Sequence, residues 1–246
     1  MQIYLLFFAG LFSGLIDAIA GGGGLISVPA LLWAGLPVQL ALGTNKLQAA
    51  CGTSLAVSRF ARAGWISWAD VRLAIGVTFV FAALGTWAVT RLDKALLEAM
   101  VPWLLLAVAV YSLLSPRLGL QRKAARLSAN TFAMLGGSVL GFYDGFFGPG
   151  TGSFWTISLL SLRGFELTRA TAYTKVVNLT SNVASLLVFL LAGSVMFKIA
   201  LVMIAGQLIG ARLGSGLVIK HGAPFVRVVF LVVVFVLTAK LLWDRL

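Results

Sequence analysis

Two lysines and two aspartates stand where charge is expensive. Lys46 and Lys175 lie inside long apolar runs, and Asp17 and Asp144 each precede a glycine cluster at the end of one. Hydrocarbon tolerates neither an unpaired charge nor a loosened backbone, so such residues are expected to pair with one another or to face a wet cavity. The aspartates belong to one motif used twice, GLIDAIAGGGG at 14–24 and GFYDGFFGPGTG at 141–152. A helix that starts at a glycine break inside the membrane presents unpaired N–H groups and the positive end of its dipole, which together cradle an anion. Gly22, Gly23, Gly150 and Gly152 are the candidate cradle residues, because glycine lets backbone approach a ligand closely. The plainer reading of the same glycines is a helix break needed only for packing.

The lysines come with polar neighbours. Thr171, Lys175, Asn178, Asn182 and Ser185 recur at steps of four, three, four and three, which is one face of a helix. Ammonium, amide and hydroxyl groups in a stripe offer donors to an oxyanion, and Thr174 and Ser181 are secondary candidates beside it. The first half keeps Lys46 and Thr53 on the equivalent face but has Ala49 and Ala56 at the other polar positions, so the expected site is asymmetric. Two readings of the charges stay open here. Lys46 and Lys175 form an electropositive substrate site, or they only neutralise Asp17 and Asp144 in structural ion pairs. Both can hold at once, since an arriving anion that frees a lysine from its aspartate provides coupling. Burial also favours the protonated form of a carboxyl, making either aspartate a candidate proton carrier.

The elements that must position these groups are long and apolar. Hydrophobic residues make up 60% of the 246, charged residues 11%, and mean hydropathy is +1.02, values that exclude a soluble domain. Stretches near the ~20 residues needed to span hydrocarbon fall at about 3–20, 39–58, 70–90, 95–115, 128–147, 170–192, 197–218 and 224–243. Two short apolar segments, about 25–34 and 153–162, follow the glycine breaks. Ten helical residues reach only about 15 Å, half the hydrocarbon thickness, so these read as half-helices or re-entrant segments.

Asp17 aligns with Asp144, Lys46 with Lys175 and Gly64 with Gly193 at nearly constant separation. The reading is therefore an all-α polytopic membrane protein of about eight transmembrane helices in two homologous repeats, 1–116 and 128–246, joined by a basic cytoplasmic linker at 117–127. Repeats of this kind are a common plan for secondary transporters, with the substrate held between them near the midplane. If the short segments turn back, each half crosses four times, the repeats are parallel and both termini are cytoplasmic; if they contribute a crossing, the repeats are inverted. Gly206, Gly210 and Gly214, like Gly10–Gly14 and Gly137–Gly141, have the spacing of close helix packing seams.

The remaining features narrow the class. A net charge of +12 is spread over short loops and helix ends, which fits cytoplasmic retention of Lys and Arg and not nucleic-acid binding. Arg117, Arg122, Lys123 and Arg126 are accordingly assigned to the cytoplasm, and Arg59 and Arg62 to its membrane surface. Trp65, Trp68, Trp103 and Trp243 read as interfacial anchors, and His221 as part of a solvated turn. The first apolar stretch has no basic leader or small-residue cleavage site and is not expected to be a signal peptide. Cys51, the single cysteine, excludes an intramolecular disulfide and reads as a small packing residue. Phosphate-loop, HExxH and GxSxG motifs are absent, so neither an enzyme nor a nucleotide, metal or organic cofactor is implied.

GFYDGFFGPGTGSF at 141–154, TKVVNLTSNVASL at 174–186 and GQLIGARLGSGL at 206–217 resemble the TauE/SafE family, also called the toluene sulfonate uptake permeases, and in particular its YfcA-like branch. AGGGGLISVPALL at 20–32 is similar to the family's glycine-rich segment ending in proline. The resemblance covers essentially the whole chain. It implies a multi-pass transporter of the bacterial inner membrane, grouped with exporters of sulfite, sulfoacetate and other sulfonates. The expected partners are a small inorganic or organic oxyanion and the lipid bilayer, with a homo-oligomer open. Alternatives are a passive anion channel and a non-transporting membrane scaffold or assembly subunit.

Overall fold

The computed structural model describes residues 2–114 and 124–221, and all the regular structure among them is helical. In chain order the helices are α1 (Gln2–Ala20), α2 (Gly24–Trp33), α3 (Val38–Arg62), α4 (Trp68–Thr90), α5 (Lys94–Leu114), α6 (Ala129–Phe146), α7 (Thr151–Leu162), α8 (Leu167–Leu191) and α9 (Phe197–His221). The expected span at 224–243, Trp243 and the linker residues Arg117, Arg122 and Lys123 lie outside the described residues. Among those described, α4, α8 and Phe197–Lys220 of α9 are long and apolar enough to cross a membrane, and Ile3–Ile19 and Gly24–Trp33 are shorter apolar helices.

Local signals account for the boundaries. Ser128 caps α6 by accepting from the Thr131 N–H at 3.1 Å. Gly64 and Gly193, at φ 74° and 66°, end α3 and α8 in the left-handed conformation. The next residues, Trp65 and Ser194, then donate back to Phe60 and Phe189, closing the same C-terminal motif in both halves.

Helix α7 runs back to where α6 began, since the Leu162 carbonyl accepts the N–H groups of Arg126 and Leu127 at 2.8 and 3.1 Å. In the same way Leu6, early in α1, packs with Leu31 near the end of α2 and with Leu36 just beyond it. Each long-short pair therefore makes no net crossing of the bundle. Helices α3 and α8 are antiparallel at its centre, with the Thr44 hydroxyl near the start of α3 accepting from the Met196 N–H just beyond α8.

The outer pairs exchange halves. α1 packs along α9 in parallel, with Gly206, Gly210 and Gly214 against the backbone of Phe7, Leu11 and Leu15, and Gly10 and Gly14 against Met203 and Gln207. α6 packs on α4 likewise, through Gly137 and Gly141 against Val77 and Thr78 and Gly145 against Ala82. A side chain at these seams would overlap the facing helix, or at Gly141 crowd it, so the small residues set the helix separation.

The two ends differ in charge. One gathers Arg59, Arg62, Arg126, Arg163 and Arg169, the last paired with Asp70, and the Arg59 guanidinium donates to the Arg212 carbonyl at 2.7 Å. The other carries Arg91, Lys94 and Lys198 together with Asp93 and Glu98. Trp68, at the start of α4, is 54% exposed; Trp103 is 67% exposed but lies midway along α5 and not at a span end as the sequence reading expects, and Trp65 stacks on Phe60 at 5.6 Å and is part of the packing.

Candidate functional site

Asp144 comes in on α6, one turn after the Gly141 seam, and is met by Lys46 from α3. The Lys46 ammonium donates to Asp144 Oδ1 at 2.7 Å and to the Asp144 carbonyl at 2.5 Å. The Ser181 hydroxyl on α8 donates to the other carboxylate oxygen, Oδ2. Both charged side chains are sealed, at 2% and 6% exposure.

Asp17 comes in on α1 and is met by Lys175 from α8. Here the ammonium donates to the Asp17 carbonyl and lies 3.3 Å from Oδ2. Thr53 on α3 donates to the same Oδ2 at 3.3 Å. The lysine is fully buried, and the aspartate side chain is 14% exposed. The pairing is thus crossed: each lysine reaches the aspartate of the other half. Lys46 is nine residues into α3 and Lys175 nine into α8. Because those helices run oppositely, the two pairs lie at different depths, each about 12 Å from one end of the central pair at 1.5 Å per residue.

The glycine breaks meet between the halves. Gly21 and Gly152 touch backbone to backbone, so closely that a Cβ on either would overlap the other. A Cβ on Gly148 would stand 3.0 Å from both Lys46 Nζ and Asp144 Oδ1, which puts this glycine against the ion pair. Gly23 folds back on Ser13 and Asp17, and its carbonyl accepts from the Ser13 and Ser27 hydroxyls at 2.9 and 3.1 Å. Gly22 is buried at the start of α2, where its carbonyl accepts from the Leu25 N–H. A Cβ added to Gly150 would instead meet Val108 and Leu25, so on that side its surroundings are apolar.

The polar stripe of α8 is buried throughout, Thr171, Thr174, Lys175, Asn178, Ser181, Asn182 and Ser185 all being at most 8% exposed. Thr174 lies 3.1 Å from the Thr156 hydroxyl of α7. Its first-half counterpart, unrecognised in the sequence, is Asn45, whose Oδ1 accepts from Ser27 at 2.5 Å and from Gln48 at 3.0 Å. The signal was present in the lysine register, which aligns Asn45 with Thr174, but amide and hydroxyl side chains share no obvious pattern. The two contacts also align Ser27 with Thr156, at the same separation that relates Lys46 to Lys175. Among the described residues no group of three or more His, Cys, Asp or Glu gathers as a metal site.

Chemically, the arrangement holds two ammonium groups and several hydroxyl and amide donors between the halves, each ammonium balanced by a carboxylate. The model of the family described as sulfite exporter TauE/SafE matches residues 6–241. The chain is 44% identical to a probable membrane transporter protein of Haemophilus influenzae over 241 residues, 98% of this chain and 94% of the relative. It is 42% identical to the probable membrane transporter protein YfcA of Escherichia coli K12 over 240 residues, 98% and 89% of the two chains. A probable membrane transporter protein, ORF9, of Sinorhizobium sp. is 39% identical over 239 residues, 97% and 92% of the two. No solved structure matches.

Proposed function

The chain belongs to the sulfite exporter TauE/SafE family, and with that as premise we propose that it is a secondary membrane transporter or facilitator exporting small oxyanions, sulfite or an organosulfonate foremost. The observation that carries this reading is the pair of buried ammonium groups, each crossing to the other half beside a glycine break. Burying an ion pair gives no dependable gain in stability over an apolar filling, so these charges are best explained by what they bind. An oxyanion entering between the halves replaces a carboxylate as the partner of a lysine, aided by Thr174, Asn178, Ser181 and Asn182. Asp17 and Asp144 are then the coupling or pairing groups, alternately holding and releasing the lysines.

In this reading the protein is a multi-pass protein of the bacterial inner membrane, built from two inverted repeats with eight long helices. The opposed courses of α3 and α8, and the net return of each long-short pair, support inversion. The arginine-rich end is cytoplasmic by the positive-inside bias. A reporter fused after Leu246 is then expected to give a periplasmic signal, because 224–243 is long enough to span once more. A cytoplasmic signal would contradict inversion.

Purified protein in proteoliposomes tests the function, with sulfite, organosulfonate, sulfate and phosphate supplied with and without a pH gradient. Saturable flux of sulfite or sulfonate, accumulated against its gradient, is expected. Flux without accumulation identifies a passive anion channel, and no flux with any of the four identifies a scaffold and overturns the proposal.

A further inference from the structure

Among the described residues six buried side-chain atoms lack a hydrogen-bond partner, and two of them occupy matched places. Thr78 Oγ1 is on α4 and Gln207 Oε1 on α9, the helices that exchange halves to pack on α6 and α1. The backbone of Thr78 rests on Gly141, three residues before Asp144, and that of Gln207 on Gly14, three residues before Asp17. Both residues are buried, at 0% and 1% exposure.

The Gln207 side chain then lies over Gly52 of α3, where any Cβ would overlap its Cγ and Nε2. Gly52 precedes Thr53, the donor to Asp17, and the lysine register aligns it with Ser181, the donor to Asp144. Gln207 thus fills the place beside the Asp17 pair that the Ser181 hydroxyl holds beside the Asp144 pair.

An unpaired buried polar atom costs stability that an apolar side chain of similar size would restore. Sequences keep such costs chiefly where function requires them. Two of them at equivalent positions, each packed on a glycine one turn before a paired aspartate, mark where a polar ligand is met. We infer that Gln207 and Thr78 contact the transported oxyanion and extend its site from α3 and α8 onto α9 and α4. This rests on the transport reading above. A hydroxyl donates to an oxyanion directly, and a primary amide turned by half a rotation presents its N–H in place of its oxygen.

The test compares Gln207→Leu and Thr78→Val with the unaltered protein in proteoliposomes, measuring half-saturation by sulfite, maximal rate, melting temperature and the melting shift caused by sulfite. Loss of a hydrogen bond to a charged ligand raises half-saturation about tenfold. That increase is expected for Gln207→Leu, with a smaller one for Thr78→Val, maximal rates retained, smaller sulfite-induced shifts and melting temperatures equal or higher. Unchanged half-saturation and melting shift in both variants of an active protein overturns the inference alone. If Gln207→Leu does not fold, Thr78→Val decides by the same criteria. Absence of flux of sulfite, organosulfonate, sulfate and phosphate alike in the unaltered protein, with no melting shift from any of them, instead overturns the transport reading.

Discussion

Lys46 and Lys175 hold matched positions on antiparallel helices and meet matched aspartates, yet only one of the two pairs is closed on every side. Asp144 accepts Lys46 on one carboxylate oxygen and Ser181 on the other, and its side chain is 6% exposed. Asp17 receives Lys175 and Thr53 on the same oxygen, both at 3.3 Å, and is 14% exposed. The cause is local: Gly52 stands where the second half has Ser181, and Gln207 fills the room that glycine leaves. The matched pairs are thus tighter on one side and looser on the other. A ligand competing for an ammonium meets less resistance at Lys175.

The comparison breaks or sharpens at three sizes of effect. Asp144→Asn leaves the buried Lys46 charge without its counterion and is expected to destabilise by about 3–5 kcal/mol, read as a drop in melting temperature in detergent. Asp17→Asn should cost visibly less, and equal losses would erase the distinction between the pairs. Ser181→Ala removes the donor to Asp144 Oδ2 and should cost about 1–3 kcal/mol in the same assay. Thr53→Val, which gives up only a 3.3 Å contact, should cost about 1 kcal/mol or less; the reverse order would place the tighter site around Asp17.

Much of this was legible in the chain because hydrocarbon enforces simple rules. Apolar runs at 70–90 and 197–218 became α4 and α9 with their ends within a few residues, and the short segments at 25–34 and 153–162 became α2 and α7. The glycine seams were visible as spacing, but not that Gly206, Gly210 and Gly214 face α1 across the halves. The sequence also placed lysine, aspartate and glycine break in one neighbourhood. It could not say which lysine meets which aspartate, since spacing along one chain carries no record of which helices exchange partners. Parity stayed open for a related reason: whether α7 returns to the start of α6 depends on the Leu162 carbonyl meeting Arg126 and Leu127, a contact with no sequence signature. Nor does spacing show what surrounds each glycine: an added Cβ on Gly150 would meet Val108 and Leu25, and one on Gly148 would meet Lys46 and Asp144.

The measurement that bears most directly on the lysines as a binding site is sulfite uptake by the double variant Asp17→Asn/Lys175→Met in proteoliposomes. It removes both charges together and leaves neither uncompensated, so a pair serving only to fasten helices can be replaced without loss of flux. Saturable uptake is expected to vanish while the protein stays monodisperse with a melting temperature near that of the unaltered chain. Uptake at the original rate and half-saturation would contradict the account.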